Sequence, residues 1–398
     1  MAYRGTDRGS REGIVPLSHR PGDLLRLIRT GEATTRGELQ HATGLSRVTV
    51  SRRLDTLQAA GIIREGGIGS ATGGRRPGTF MFDPDVVVLV ATLDAVGGTT
   101  AAVNAKGEVL ARGIIDARVA DGPEKTLATV AIALRKLAVD NTIPLERAVA
   151  VAISVPGPTN PVDQRLDDPP IMPGWSGWPI VEFLREEFGM PVYVENDADA
   201  MAYGEAFHSV DPSKSMVLVK VSAYIGAGIV LDGQIFRGTD GGAGDLGHVK
   251  VGGTTPCRCG KTGCLAAEAS GMAVARRLRD AGVDLDEPDD IVALAESGNA
   301  IAAGELQRAG ELIGTVVATV VGIINPAVIV IAGSLACTPL VAAIRSSVYA
   351  QSLPRATRHL EIRTSTFSAD AAAIGLATLA VNDHDSARNV NLRLDADA

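Results

Sequence analysis

One order of strands and helices occurs twice along the chain, and this repeat restricts the fold more than any other pattern. In each copy three strands come first, and helical segments and a further strand follow; Asp232-Gly233 is the predicted hairpin turn of the second copy. This order predicts a duplicated α/β unit with a cleft between the copies. The predicted strands are 86–93, 101–103, 109–115, 147–155, 192–194, 216–221, 226–231, 234–236 and 328–331, and the helices of the first copy are 124–141, 180–188 and 198–207.

The composition is typical of a soluble protein with more than one domain. The 398 residues are 45% hydrophobic and 21% charged, which excludes a disordered chain, and four cysteines are too few for a disulfide scaffold. The N-terminus lacks the apolar segment of a signal peptide, and the longest apolar runs are shorter than a membrane span. We therefore expect a cytoplasmic protein with no membrane partner.

The N-terminal part of the chain differs from the rest in charge. Residues 1–80 contain 13 Arg, no Lys and 7 acidic residues, so they carry +6, whereas the remaining residues carry −14. Opposite charges in two parts of one chain indicate two different partners. We assign residues 1–19 to a flexible tail and residues 20–82 to a winged helix-turn-helix that binds a double-stranded DNA operator.

Capping signals support three short helices in this segment. Thr35 and Glu38 form a capping box that opens the second helix, and Ser46 caps the third. The third helix has an apolar inner face, and its other face can enter the major groove, with Val48 against a thymine methyl and Arg53 and Arg36 at phosphates. The alternative is a small helical domain whose arginines are merely solvated. The predicted DNA-binding residues are Ser46, Arg47, Thr49, Arg52 and Arg53 on the helix, and Arg75 and Arg76 in the wing.

Three cysteines and one histidine lie within seventeen residues of the second copy. Their thiolates and imidazole make a full tetrahedral ligand set for Zn²⁺, and a site filled entirely by protein ligands is structural. Gly260 and Gly263 allow the tight turns that such a site needs. The alternative is a group of buried free thiols beside an unrelated histidine. The predicted metal ligands are His248, Cys257, Cys259 and Cys264.

These motifs together resemble the ROK family, which comprises sugar kinases and sugar-responsive transcription regulators. The resemblance covers nearly the whole chain and rests on GGRRP at 73–77, VPGP at 155–158, ENDAD at 195–199, GAGDLGH at 242–248 and CRCGKTGC at 257–264. It implies an actin-like fold of the sugar-kinase and ribonuclease-H type, a homodimer or tetramer, and a sugar held between two lobes. We assign the first lobe to residues 83–204 joined by a C-terminal helix at 369–382, the second lobe with the zinc site to 205–368, and a polar tail to 383–398.

The resemblance also assigns roles to residues of the cleft. In the kinases of the family, the aspartate of the Asn-Asp pair takes the proton of the attacking sugar hydroxyl. That aspartate is Asp197 here, catalytic only if kinase activity is retained, and Asn196 would bind the sugar. Asp245 and His248 would complete the effector site. From the residues alone, the Asn-Asp pair is equally explained as the cap of a helix N-terminus.

Three departures from the family pattern fall in the cleft. The first phosphate loop, Asp94 to Thr99, is one residue longer than in the kinases, and the second carries Tyr224 where a glycine would admit phosphate. After the last cysteine, Ala266 replaces an acidic sugar ligand, and Glu268 lies two positions later. Because phosphoryl transfer depends on positioning, these changes predict a sensor for a sugar or sugar phosphate that neither uses ATP nor phosphorylates the sugar.

The sequence therefore predicts a DNA-binding transcription regulator, a repressor, whose kinase-like domain senses a sugar derivative. The alternative from the enzyme class is an ATP-dependent sugar kinase with a fused DNA-binding domain. A third possibility is a regulator whose cleft is vestigial and whose signal is a protein partner or its own abundance.

Overall fold

The chain divides into two units in a computed structural model that describes residues 20–29, 31–68, 78–82, 86–209, 211, 214–285, 287–288 and 290–396. One unit combines the N-terminal segment up to residue 85 with the chain from residue 381 onward, and the other comprises residues 86–380. The predicted tail 1–19 and the wing residues Arg75 and Arg76 lie outside the described residues.

Three helices and a two-stranded antiparallel hairpin form the N-terminal part of the first unit. The predicted capping box is confirmed, since Thr35 accepts from the backbone of Glu38 and Glu38 accepts from the backbone of Thr35. Ser46 caps the third helix as predicted, by accepting from the backbone amide of Thr49. The elements are α1 (Pro21–Arg29), α2 (Arg36–Thr43), α3 (Arg47–Ala59), β1 (Ile63–Ile68) and β2 (Gly78–Phe82).

The end of the chain is a helix of this unit, which corrects the prediction of a polar tail at 383–398. Val390 is fully buried among the apolar residues of the three N-terminal helices, and Asn391 accepts a 2.9 Å hydrogen bond from the backbone amide of Gly22. The segment is polar in composition, and Val390 and Leu394 become its packed face only because the N-terminal helices cover them. We label this helix α14 (Ala387–Ala396).

A mixed five-stranded sheet with order β5-β4-β3-β6-β7 forms the first lobe of the second unit. The first three strands are antiparallel, and β6 and β7 are parallel to β3. This lobe contains β3 (Val87–Leu93), β4 (Gly98–Asn104), β5 (Val109–Ile115), α4 (Pro123–Asp140), β6 (Ala148–Val155), α5 (Ile180–Phe188) and β7 (Val192–Asn196).

The second sheet has the same topology, with order β10-β9-β8-β11-β12, so the predicted duplication is confirmed. Strand β12 was not predicted. From the first sheet the chain continues through α6 (Asp197–Ser209), β8 (Met216–Val221), β9 (Ile225–Leu231), β10 (Gln234–Ile235), α7 (Leu265–Ala269), α8 (Gly271–Asp280), α9 (Asp290–Glu296), α10 (Ala300–Ile324), β11 (Val328–Ala332), α11 (Thr338–Gln351), α12 (Pro354–Thr357), β12 (Glu361–Thr364) and α13 (Ala371–His384).

Helices α13 and α10 both pack closely within the second unit. Helix α13 packs so closely on α6 that a Cβ at Gly375 would lie 1.9 Å from the carbonyl oxygen of Ala200, so only glycine fits there. Helix α10 is long and apolar enough to cross a membrane by composition. Its Leu306, Ile313 and Val317 are instead buried in the core of the second lobe, which identifies it as a core helix.

Candidate functional site

A cavity of about 760 Å³ between the two lobes contains all four residues that the sequence assigned to effector binding. Asn196 and Asp197 reach it from the junction of β7 and α6. Asp245 and His248 reach it from a short 3₁₀ turn that follows β10. The fold therefore brings together residues separated by about fifty positions in the sequence, as the family resemblance implied.

Asn196 both caps helix α6 and lines the cavity. Its Oδ1 accepts hydrogen bonds from the backbone amides of Ala198 at 2.9 Å and Asp199 at 3.2 Å. Its Nδ2 donates to the carbonyl of Gly157 at 2.9 Å and so holds the loop after β6 against the helix terminus. The capping alternative and the cleft position are therefore both observed, and one of the two Nδ2 hydrogens of Asn196 is left for a ligand.

Lys220, which was not predicted from the sequence, lies between two carboxylates at the base of the cleft. Its Nζ donates to Asp197 Oδ2 at 2.5 Å and to Asp94 Oδ2 at 3.2 Å, and its side chain is 12% exposed. A lysine inside the otherwise apolar strand MVLVKV was the signal that could have revealed it. Lys220 therefore connects a strand of the second lobe to the end of a strand of the first.

The three groups shift one another's protonation. Burial opposes the charge of Lys220, but Asp197 and Asp94 outweigh it and raise the lysine's pKa above its ordinary value. Burial also disfavours the charge of Asp94, yet Lys220 holds its pKa below the usual range. Burial, together with the charge of Asp94, raises the pKa of Asp197. The group therefore contains a charged lysine with one carboxylate firmly ionised.

A second cavity of about 710 Å³ shares Asp94, Asp197 and Lys220 with the first. The loop after β3, one residue longer than the family pattern, closes on itself here, because the amide of Asp94 donates to the carbonyl of Gly97 at 2.8 Å. The Asp94 carboxylate accepts from the amide of Ala95 at 2.6 Å and from Lys220, so both of its oxygens are occupied.

Tyr224 lines the first cavity, in the loop where the family pattern has glycine. The guanidinium of Arg258 lies over its ring, 5.7 Å from the ring centre. Such a cation–π contact holds both side chains in place. Burial raises the pKa of the Tyr224 hydroxyl, which therefore stays protonated at neutral pH. The loop therefore places the Tyr224 ring in the cleft, with the Arg258 guanidinium over it.

The four predicted metal ligands converge on one point. Their donor atoms all lie within 4.8 Å of one another, with Cys257 Sγ 3.6 Å from His248 Nδ1 and Cys259 Sγ 3.7 Å from Cys264 Sγ. Tetrahedral bonds of about 2.3 Å to one ion would place two sulfurs about 3.7 Å apart. The cluster therefore fits a four-coordinate metal ion.

Local backbone geometry forms this cluster. Gly263 adopts a positive φ of 67°, and a Cβ there would lie 2.4 Å from the carbonyl oxygen of Gly252. Gly260 also has a positive φ, as the predicted tight turns require. Cys337, the fourth cysteine, lies outside the cluster and is buried in the core.

The structure also locates the acidic residue after the last cysteine. Ala266 lines the cavity, whereas Glu268 is not among the lining residues that the structure describes. Glu268 instead lies beside Gly253 and 3.9 Å from Arg308. It does not replace the acidic ligand that the family pattern would have at position 266.

Asp199 is a further carboxylate in the first turn of α6. Its side chain is buried, and its Oδ1 has no hydrogen-bond partner among the described residues. Burial raises its pKa well above the ordinary value, and the nearby carboxylate of Glu195 adds to the effect. Arg237 opposes the shift but is itself paired with Glu195.

Helix α3 presents most of the predicted DNA-binding residues to solvent. Val48 is 78% exposed, and Ser46, Arg47 and Arg52 are exposed as well, while Thr49 is half-buried. The inner face of the same helix is buried, as its apolar spacing predicted.

Two arginines expected at phosphates have contacts within the protein. Arg53 is partly buried, which lowers its pKa, and its Nη1 has no hydrogen-bond partner in the described part of the chain. Arg36 lies over the ring of Phe80 and 3.2 Å from Glu65. Arg36 therefore contributes to packing in the first unit, and Arg53 is partly withdrawn from solvent.

Two sheets of identical topology, with a cleft between them, define an actin-like fold of the sugar-kinase type. The model of the ROK family matches residues 81–383, about three quarters of the chain, and the protein belongs to this family. A glucokinase of Halalkalibacterium halodurans is 30% identical over an alignment of 318 residues that covers 74% of this chain and 96% of the glucokinase.

Two regulators match a larger share of the chain. The xylose repressor of Bacillus spizizenii is 26% identical over 368 residues, covering 90% of this chain and 94% of the repressor. A crystal structure of a ROK family transcriptional regulator, described as a homologue of the E. coli MLC protein, has a TM-score of 0.77 and 26% identity. It covers 94% of this chain and 98% of its own.

Proposed function

We propose that this protein is a cytoplasmic, sugar-responsive transcriptional repressor. Its first unit would be the winged helix-turn-helix that binds operator DNA, and the cleft of its second unit would bind the sugar. The similarity to a xylose repressor and to a ROK regulator structure over at least 90% of the chain supports this function. The glucokinase, in contrast, matches 74% of the chain.

The surface of α3 is the observation that carries the DNA-binding part of the proposal. Ser46, Arg47 and Arg52 are exposed on a helix that begins at a capped N-terminus. Side chains at the start of such a helix can contact base edges in the major groove, and the arginines also attract the phosphate backbone. Arg75 and Arg76 would reach the DNA from the wing.

A homodimer would present two copies of α3 to an operator with two half-sites. Ligand binding in the cleft would then change DNA affinity by changing the distance between the two helices. The effector would be bound by Asn196, Asp197, Asp245 and His248.

Lys220 is the main argument against phosphoryl transfer in this cleft. A catalytic base must accept the proton of a sugar hydroxyl, but Asp197 already accepts from a buried ammonium at 2.5 Å. Asp94, the first residue of the adjacent phosphate loop, is held by the same ammonium. The Tyr224 ring adds bulk where a phosphate would approach. Binding of a sugar without its phosphorylation agrees with this arrangement.

The His/Cys cluster would hold a structural Zn²⁺ ion. Thiolates combined with an imidazole are ligands that zinc prefers, and four protein ligands would leave no open position for substrate. Zinc would fix the loop that carries Cys257 to Cys264 against the floor of the cleft.

DNA binding can be tested before the operator sequence is identified. The full-length protein should select a defined sequence from a randomised duplex library, and a panel of sugars should change its affinity for that sequence. Arg47→Ala and Arg52→Ala together should abolish specific binding, whereas Arg26→Ala, which removes an exposed arginine paired with Glu32, should not. Recovery of no preferred sequence would refute the proposal.

A sugar kinase is the second candidate, favoured by the glucokinase that is 30% identical and covers 74% of the chain. This function requires transfer of phosphate from ATP to a hexose. Wild-type turnover that disappears in Asp197→Asn would establish it and would overturn the sensor proposal. We expect no turnover in either protein.

A further inference from the structure

We infer that the effector carries an anionic group, a phosphate or carboxylate, that binds to a cluster of basic side chains in the first cavity. The inference rests on the proposed sugar-sensing function and specifies the chemical class of the sugar. We call the basic side chains that line this cavity beside the metal cluster the cation wall; they are Arg258, Lys261, Arg276 and Arg279.

The cation wall belongs entirely to the second lobe. Arg258 and Lys261 lie in the loop of the metal cluster, where Arg258 stands between Cys257 and Cys259. The other two basic residues lie on α8, one helical turn apart. Two separate elements therefore direct positive charge into one cavity, which a random scatter of surface arginines would not do.

Three of the four cations have no acidic partner in the described part of the chain. Among the described residues, Arg258, Lys261 and Arg276 form no ion pair with a carboxylate. The neighbouring Arg277 on the same helix behaves differently, since its Nε donates to Glu305 at 2.5 Å. The protein thus neutralises Arg277, which does not line the cavity, and leaves these three cations without a carboxylate. Unpaired cations that share a cavity favour an anionic ligand.

Two of these side chains are held in position before any ligand binds. Arg258 lies over the ring of Tyr224, and Arg276 Nη2 donates to the carbonyl of Ala267 at 3.2 Å. Each guanidinium has further N–H groups available for an anion. Such preorganisation reduces the entropy that is lost on binding.

The rest of the cavity suits the hydroxyl groups of a sugar. Asp197 and Asp245 line it as hydrogen-bond acceptors, and the loop after β6 adds Asp167 and Asp168 from the first lobe. These carboxylates favour hydroxyl donors over further negative charge at their part of the cavity, whereas the cation wall favours an anion at the other. A ligand with hydroxyls at one end and an anion at the other, such as a sugar phosphate or a sugar acid, matches both parts.

Inorganic phosphate is the first probe of the cation wall. Phosphate at constant ionic strength should raise the thermal unfolding midpoint of the full-length, metal-loaded protein. The double variant Arg258→Ala/Arg276→Ala should lose this rise. The matched control is Arg355→Ala/Arg358→Ala, which removes the same charge from an exposed part of the second lobe outside the cavity and should keep it. Absence of any rise in the wild type, or an equal rise in all three proteins, would overturn the inference.

Calorimetry with glucose, glucose 6-phosphate and glucuronate then identifies the anion. We expect at least one charged sugar to bind tenfold or more tightly than glucose, and the double variant to lose that difference, since each charge-assisted hydrogen bond contributes about a tenfold gain or more. Preference for glucose 6-phosphate indicates a phosphate, and preference for glucuronate indicates a carboxylate. Binding of glucose as tight as that of both charged sugars would overturn the inference.

DNA binding separates failure of this inference from failure of the proposed function. If glucose releases the selected DNA equally from the wild type and the double variant, the repressor function is supported and the anion site is refuted. If anion binding depends on Arg258 and Arg276 but no sugar changes the DNA affinity, the anion site is supported and the sugar response is refuted.

Discussion

Lys220 Nζ lies 2.5 Å from Asp197 Oδ2, so the carboxylate that the ROK resemblance assigns as a catalytic base is paired with a lysine of this chain. The same ammonium reaches Asp94 on the first sheet at 3.2 Å. The lysine therefore joins the two lobes at the bottom of the cleft by charge-assisted hydrogen bonds. A ligand that displaces either contact would change the connection between the lobes, which is what a sensor needs.

Replacement of Lys220 by methionine should destabilise the second unit by about 3 to 5 kcal/mol. The reason is that removal of one partner leaves the other charges of a buried ion pair uncompensated. Chemical denaturation measures this loss. Lys136→Met is the matched control, because Lys136 pairs with Asp140 on an exposed helix surface and should contribute less than about 1 kcal/mol. Equal losses for the two variants would show that the Lys220 contacts are energetically unimportant.

The double variant Lys220→Met/Asp197→Asn provides a further check. It removes both the lysine and the charge on the carboxylate that lies nearest to it, so it should recover part of the stability lost in Lys220→Met. Strict additivity of the two single losses would indicate no coupling between these side chains.

Asp199 should make stability depend on pH in the acid to neutral range. Its pKa is raised in the folded protein, whereas the unfolded value is about 3.9. As the pH rises above about 4, the unfolded chain releases the proton that the folded protein retains, so the wild type loses stability. Asp199→Asn cannot ionise and should escape this loss.

Denaturation of both proteins from pH 4 to pH 8 tests this expectation. Subtraction of the two curves cancels the other titrating groups, and the variant should gain stability relative to the wild type as the pH rises. A difference that is constant with pH, or that changes in the opposite direction, would contradict the raised pKa of Asp199.

The metal cluster should hold one ion per chain in the purified protein. Cys257→Ser removes one of four ligands and should lower both the metal content and the thermal unfolding midpoint, because metal binding is coupled to folding. Cys337→Ser is the matched control, a buried cysteine outside the cluster that should retain the ion. Elemental analysis measures the content, and a fully stable metal-free wild type would refute a structural role.

Local signals in the sequence predicted the parts of the structure that local contacts determine. The Thr35 and Glu38 capping box is complete within four residues, and the metal ligands converge within seventeen. The duplicated strand order was readable because buried strands are nearly continuous apolar runs. Asn196 and Asp197, in contrast, were placed in the cleft by family resemblance and not by any pattern of their own.

Contacts between distant residues explain what sequence reasoning missed. The partners of Lys220 lie 23 and 126 positions away, so no spacing rule could pair them. Strand β12 has the sequence EIRT. This mostly polar segment forms a strand only because it pairs in parallel with β11. These elements depend on tertiary structure, which outweighs local propensity.

Helix α14 should contribute to the stability of the first unit. Val390 is fully buried against the helices of this unit, so Val390→Ala should cost about 1.5 to 3 kcal/mol through lost burial and the cavity left behind. Leu392→Ala on the same helix is the matched control, because Leu392 is 56% exposed and its truncation should cost less than about 0.5 kcal/mol.

Hydrogen exchange of the α1 amides shows whether this loss of stability falls on the helix that α14 contacts. Since Asn391 also accepts from the Gly22 amide, exchange there should accelerate in Val390→Ala and remain slow in Leu392→Ala. Slow exchange in both variants would mean that the N-terminal helices are stable without α14, and that the end of the chain contributes nothing to the unit proposed to bind DNA.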